Sequence, residues 1–170
     1  MNYHDTLNRI LVIVPDQIRA IDAAEINYKP TPTKWSKKEI LGHLVDSAYN
    51  NHQRFLRAES QGNLIFPGYD PDEWVIKNDY QNRSIEDILQ MWEMCNRHLS
   101  ILIRDIPKEV LQKMTTEHEF HLMAMNLLEK GEPSSLSYLI WDYLFHLEYH
   151  MKQIVIDYQE INPPFLLSKG

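Results

Sequence analysis

Four stretches of this chain repeat apolar side chains every three or four residues, and each is too long to be a strand. The first covers about Tyr3 to Ile21, with Leu7, Ile10, Leu11, Val14 and Ile18 on one side. Pro15 lies inside it and is expected to kink or split the helix. The second carries Ile40, Leu41, Leu44, Val45, Ala48 and Phe55 to about residue 60. Its start is marked by Ser36 and Glu39, the spacing of a capping box, with Trp35 and Ile40 placed as a hydrophobic staple. Ser84 opens the third, whose stripe runs from Ile85 through Trp92 to Ile103. The fourth is expected from a cap at Ser134 or Ser135 to about Glu160, before Pro163-Pro164. Five glycines and no alternating apolar run argue against a sheet. The pattern therefore predicts an all-α four-helix bundle.

The connections are long. Residues 62–83 hold two prolines and two glycines, and Asp70-Pro71 with Glu73 predicts a capped turn inside them. After Pro107 the chain is irregular, with a short helix expected around Leu122–Leu128. No repeat or composition shift divides the chain, so residues 1–170 are expected to form one domain.

Charge and composition exclude several functions. Asp and Glu outnumber Lys and Arg by 24 to 17, a net charge of -7, which disfavours nucleic acid and anionic membrane as partners. The one cysteine, Cys95, rules out an internal disulfide and an all-thiolate zinc site. There is no basic-then-apolar leader and no run of eighteen apolar residues, so a cytoplasmic protein is expected.

The chemistry-bearing feature is "WDYLFHLEYHMKQI", Trp141 to Ile154, where His146 and His150 stand four residues apart. On a helix they lie about 40° apart on one face and can turn toward one metal ion. His43 borders the apolar stripe of the second helix and is the best third ligand, because bundles build metal sites from inward side chains of facing helices. A shared ion would bring nitrogens of His43 and His146 within roughly 4 Å of each other. Asp46, three residues after His43, and Gln153, three after His150, are candidates for orienting a ligand or a bound water. His118 and His121 form a rival pair in the irregular region, and His52 reads as exposed. Other metal chemistries fail on spacing: Glu148 is one place late for H-E-x-x-H, and a di-iron bundle needs Glu-x-x-His, which no histidine here has.

Three segments, "KWSKKEILGHLVDSAYNNHQRF" at 34–55, "FPGYDPDEWV" at 66–75 and "LFHLEYHMKQI" at 144–154, resemble the DinB/YfiT-like metalloenzyme superfamily. The resemblance covers nearly the whole chain in order. It implies an up-up-down-down bundle, often a homodimer, with one divalent metal held by three histidines. Carried over by motif, these are His43, His146 and His150, the trio that the helical faces suggest. For function it implies a metal-dependent hydrolase or a thiol-dependent S-transferase acting on a small molecule, with a low-molecular-weight thiol as a possible partner.

Three neutral imidazoles leave a coordination position open, the arrangement of a catalytic site, and Zn²⁺ or Ni²⁺ suits them. The alternative is a non-enzymatic bundle in which the metal only ties the second and fourth helices together. A fourth protein ligand would mark that case; an open pocket lined by 66–75 would mark the enzyme.

Overall fold

A computed structural model describes residues 2–165. Every regular element among them is helical: α1 Tyr3–Arg19, α2 Ala23–Asn27, α3 Lys37–Ser60, α4 Pro71–Lys77, α5 Ile85–Asp105, α6 Lys108–Gln112, α7 Phe120–Met123 and α8 Leu136–Ile154, with a 3-10 turn at Tyr80–Asn82. The long helices start where caps satisfy free backbone donors. Ser36 and Glu39 form the reciprocal box at the head of α3, the Ser36 amide donating to Glu39 Oε2 at 2.8 Å and the Glu39 amide to Ser36 Oγ at 3.2 Å. The side chains of Asn2, Asp70 and Ser84 cap α1, α4 and α5, each accepting from one backbone amide, without the reciprocal bond. Ser135 stands at the N-cap of α8, but its side chain makes no cap bond.

α1, α3, α5 and α8 form a four-helix bundle in which α1 and α3 each pack against both α5 and α8. Contacts fix the directions. Arg19, at the end of α1, donates to Glu86 at the start of α5, while His4 meets Ser100 near the end of α5, so these two run antiparallel. Lys38 of α3 donates to the Arg83 carbonyl just before α5, and the His52 and His98 rings lie 4.8 Å apart, so α3 and α5 are parallel. His43 meets His150 while Phe55 meets Tyr143, further along α3 and earlier in α8, so α3 and α8 are antiparallel. α8 is therefore parallel to α1, whose Tyr3 bonds Ser137 at the start of α8. Along the chain the order is thus up, down, down, up. The four-helix bundle is as expected, but the order along the chain is not the up-up-down-down that the resemblance implies: the one doubled step falls between α3 and α5. Residues 61–84 span the length of the bundle to make that step possible.

Three helices differ in extent from the sequence reading. α1 continues through Pro15, which is buried against the core rather than splitting the helix. Its two ends are tied to α5, His4 to Ser100 and Arg19 to Glu86. α8 stops at Ile154 instead of reaching Glu160, with Val155 extended and Asp157 left-handed at φ 61°. The cause is the buried Glu148 carboxylate, which accepts from Tyr158 Oη (2.9 Å) and from the amides of Ile161 (2.6 Å) and Asn162 (2.8 Å). It turns the chain back along its own helix. Asp142, one and a half turns earlier, does the same to another segment, accepting from the Met125 and Asn126 amides at 2.9 and 2.8 Å. Those two bonds end α7 at Met123, where a helix to Leu128 was expected.

A third buried carboxylate, Asp46, fixes the long connection: its Oδ1 accepts from Tyr80 Oη at 2.8 Å and Asn78 Nδ2 at 3.0 Å. The Tyr80 ring lies flat on Gly42, so closely that a Cβ there would stand 2.2 Å from its Cγ. No helix among the described residues is long and apolar enough to cross a membrane.

Candidate metal centre

α3 and α8 run antiparallel, so the second turn of α3 faces the last turns of α8. This brings His43 to His146 and His150. His43 Nε2 and His146 Nε2 lie 3.1 Å apart, inside the separation that the sequence reading required. One ring nitrogen from each of the three histidines lies within 4.8 Å of the others. The rings stand nearly edge to face, at 73° to 76° with centroids 4.6 to 5.1 Å apart, so they converge on a point instead of stacking.

What the other nitrogens do matters as much. His150 Nδ1 donates to Gln153 Oε1 at 3.0 Å, which leaves Nε2 bare and fixes the ring. Gln153 thus sits where an orienting residue is needed. His43 Nδ1 is buried with no partner, and so is the second oxygen of Asp46, three residues on. Asp46 itself bonds Tyr80 and Asn78, with no bond to an imidazole. Trp35 covers the His43 ring at 5.0 Å. Burial lowers all three pKa values, and for His43 burial together with the neighbouring His150 brings it down to about 3. The rings are therefore held neutral at pH 7, with lone pairs available.

The trio fits a divalent ion on its own geometry. Imidazole–metal bonds of about 2.0–2.1 Å separate two ligand nitrogens by roughly 3 Å, close to the 3.1 Å seen between His43 and His146. No fourth His, Cys, Asp or Glu joins the group among the described residues.

The rival pair joins no group of three ligands among the described residues: His121 Nδ1 is buried without a partner, but His118 has no nitrogen to offer beside it. His118 donates from Nε2 to the Glu132 carbonyl (2.6 Å), accepts the Phe120 amide at Nδ1 (3.2 Å) and stacks on Phe120, so both nitrogens are engaged. His52 is half-buried against His98 rather than fully exposed.

A cavity of about 340 Å³ opens beside His146, between α3, α8 and the Gly68–Pro71 stretch of the long connection. Its α3 wall is Ser47, Asn51 and Arg54. Sequence reasoning passed over these residues, although at 100° per residue Ser47, Asn51 and Arg54 all fall within about 80° of His43. That polar stripe continuing the ligand's face was the signal available.

Comparison with known proteins agrees with this arrangement. The description of the DinB superfamily matches residues 15–154. A protein of Oceanobacillus iheyensis named "Putative metal-dependent hydrolase OB0782" is 28% identical over 120 residues, 71% of this chain but only 63% of its own length. A second from that organism, "Putative metal-dependent hydrolase OB0413", is 23% identical over 141 residues, 83% of this chain and 75% of the relative. Among solved structures, YfiT from Bacillus subtilis, described as a probable metal-dependent hydrolase with an unusual four-helix bundle topology, superposes with a TM-score of 0.72 at 15% identity, covering 89% of this chain and 81% of YfiT. That likeness shows the fold. By the extent of the family match, the chain belongs to the DinB superfamily.

Proposed function

We propose that this protein is a metal-dependent hydrolase of a small molecule, with His43, His146 and His150 holding one divalent ion, Zn²⁺ or Ni²⁺. The observation that carries the reading is the convergence of three neutral imidazoles, with no fourth ligand in the group, beside a cavity. A divalent ion held there supplies Lewis acidity and lowers the pKa of a nucleophile, water or thiol. The chain's own contribution is positional. Gln153 holds the His150 tautomer, Trp35 shields His43 from solvent, and Gly68–Pro71 and α8 wall the cavity where substrate would lie. The names of the two Oceanobacillus relatives favour hydrolysis over thiol transfer. That no fourth ligand joins the group among the described residues weighs against a purely structural ion, which favours a closed four-coordinate site.

The test is a panel of activated esters and amides offered to protein reconstituted with Zn²⁺ or Ni²⁺, with and without a low-molecular-weight thiol. Hydrolysis that disappears in His146→Ala and is inhibited by thiol is the expected result. Conjugate formation that requires thiol would replace hydrolysis with S-transfer. Inertness of the metal-loaded protein in both assays would sink the enzyme reading in favour of a structural ion.

A further inference from the structure

The cavity beside His146 holds one guanidinium, Arg54, and one carboxylate, Asp142, and the two make no ion pair with each other. Arg54 lies on its α3 wall, three turns beyond His43. Its Nε is buried without a partner, and among the described residues its guanidinium makes no hydrogen bond or ion pair. Burying that one donor without an acceptor is costly, while Arg54 as a whole is half-buried and its terminal nitrogens are left open toward the cavity and solvent. The nearest acid, Asp142, has its carboxylate taken up by the Met125 and Asn126 amides and the Asn126 side chain (3.0 Å), so it feels Arg54 only at a distance. The Tyr69 hydroxyl shares the cavity; burial pushes its pKa up to about 12, keeping it a neutral donor at pH 7. The lining also includes the apolar side chains of Leu122, Met123, Met125 and Leu139.

We propose that Arg54 is the substrate-recognition residue, binding a carboxylate or phosphate on a small amphipathic molecule whose apolar part rests on the Leu122–Met125 and Leu139 wall. The shape of the cavity then orders the substrate: acid on Arg54, hydrocarbon across the middle, and the bond to be cut toward His146. This assigns an acidic substrate class and rests on the hydrolase reading for the reaction, though not for the binding. Arg54 suits the task because its planar fork matches either oxyanion with two parallel hydrogen bonds.

The experiment is calorimetric titration of the full chain, metal-free and zinc-loaded, with hexanoate, hexyl phosphate and hexan-1-ol. One or both anions are expected to bind the metal-free wild type saturably, with hexan-1-ol at least tenfold weaker. Arg54→Gln should weaken the anions by roughly 10- to 100-fold, the size of a lost charge-assisted hydrogen bond, while zinc stoichiometry stays at the wild-type value. The tighter of the two anions then identifies the headgroup. Arg54→Lys, which keeps the charge and the fold, should bind the anion several-fold more weakly than wild type. The assignment is overturned if neither anion binds wild type, if hexan-1-ol binds as well as they do, or if Arg54→Gln or Arg54→Lys binds them undiminished. Because the metal-free protein gives the answer, a failure of metal-dependent hydrolysis leaves this result readable, and metal loss in the histidine variants does not bear on it.

Discussion

Two groups of histidine in this protein are withdrawn from water, and they behave in opposite ways. His118 lies among the loops after α6 with one nitrogen donating to a carbonyl and the other accepting an amide. His43, His146 and His150 lie between α3 and α8 with at least one nitrogen apiece turned toward the others and toward no other partner in the protein. Burial alone does not separate a structural imidazole from a ligand. The unused lone pair does. In the loop, backbone groups had to be satisfied and the ring was the nearest means; between helices the backbone is already satisfied, so a ring placed there is free for something else.

The largest effect expected from this contrast is in metal content. His43→Ala, His146→Ala or His150→Ala should drop bound zinc from about one per chain to nearly none, while His118→Ala keeps it, as read by elemental analysis after dialysis. Full occupancy in all three trio variants would erase the distinction between the groups.

Stability should follow the reverse order. His118→Ala leaves the Glu132 carbonyl and the Phe120 amide without partners and opens a hole against Phe120, a loss of about 2–4 kcal/mol. In metal-free protein, His43→Ala breaks no hydrogen bond to another segment except the contact with His146, and should cost less than half as much. Urea denaturation of the two variants decides the matter, and a larger loss at His43 would count against it.

The pH response sharpens the same point. Burial holds the His43 pKa down to about 3, against an ordinary 6.5. Between those values the unfolded chain binds the proton and the folded chain does not, so stability of the metal-free protein must fall as pH drops from about 6.5. Each ring held neutral contributes at most about 1.4 kcal/mol per pH unit. A thermal midpoint that stays flat from pH 7 to pH 5 would contradict the neutral, buried trio.

The smallest effect is at Gln153. Removing the acceptor on His150 Nδ1 frees the ring to rotate or to change tautomer, and Gln153→Ala should weaken zinc binding about tenfold with little change in metal-free stability. Competition against a chromogenic chelator measures it; affinity equal to wild type would show that the bond does not orient the ring.

Much of this was legible in the sequence because it is local. The capping box at Ser36, the turn at Asp70-Pro71 and the His146/His150 pair each depend on residues within four positions of one another. Facing helices supplied His43 by the simple rule that inward positions meet. What escaped was set by distant partners. Glu148 and Asp142 look like ordinary helical acids, yet each ends a segment elsewhere by gathering its amides. Asp46 likewise looked free to serve His43, and only the return of Tyr80 and Asn78 across the bundle shows its Oδ1 already taken. Pro15 carries a strong local rule that long-range packing overrides. Arg54 was overlooked for another reason: lack of a partner is a property of three-dimensional surroundings, which no spacing records.

Gly42 closes off a route that most helices leave open. A glycine inside a helix is ordinarily the first position an engineer would change, since alanine there gains about 1 kcal/mol of helix propensity. Here the gain is out of reach, because the new methyl would occupy the space of the Tyr80 ring. Displacing that ring would free Asp46 from its hydroxyl donor and loosen the long connection where it meets the residue beside His43. A laboratory selection for heat resistance that sampled this helix should therefore return substitutions on its outer face and leave position 42 untouched, unless residue 80 shrinks in the same clone.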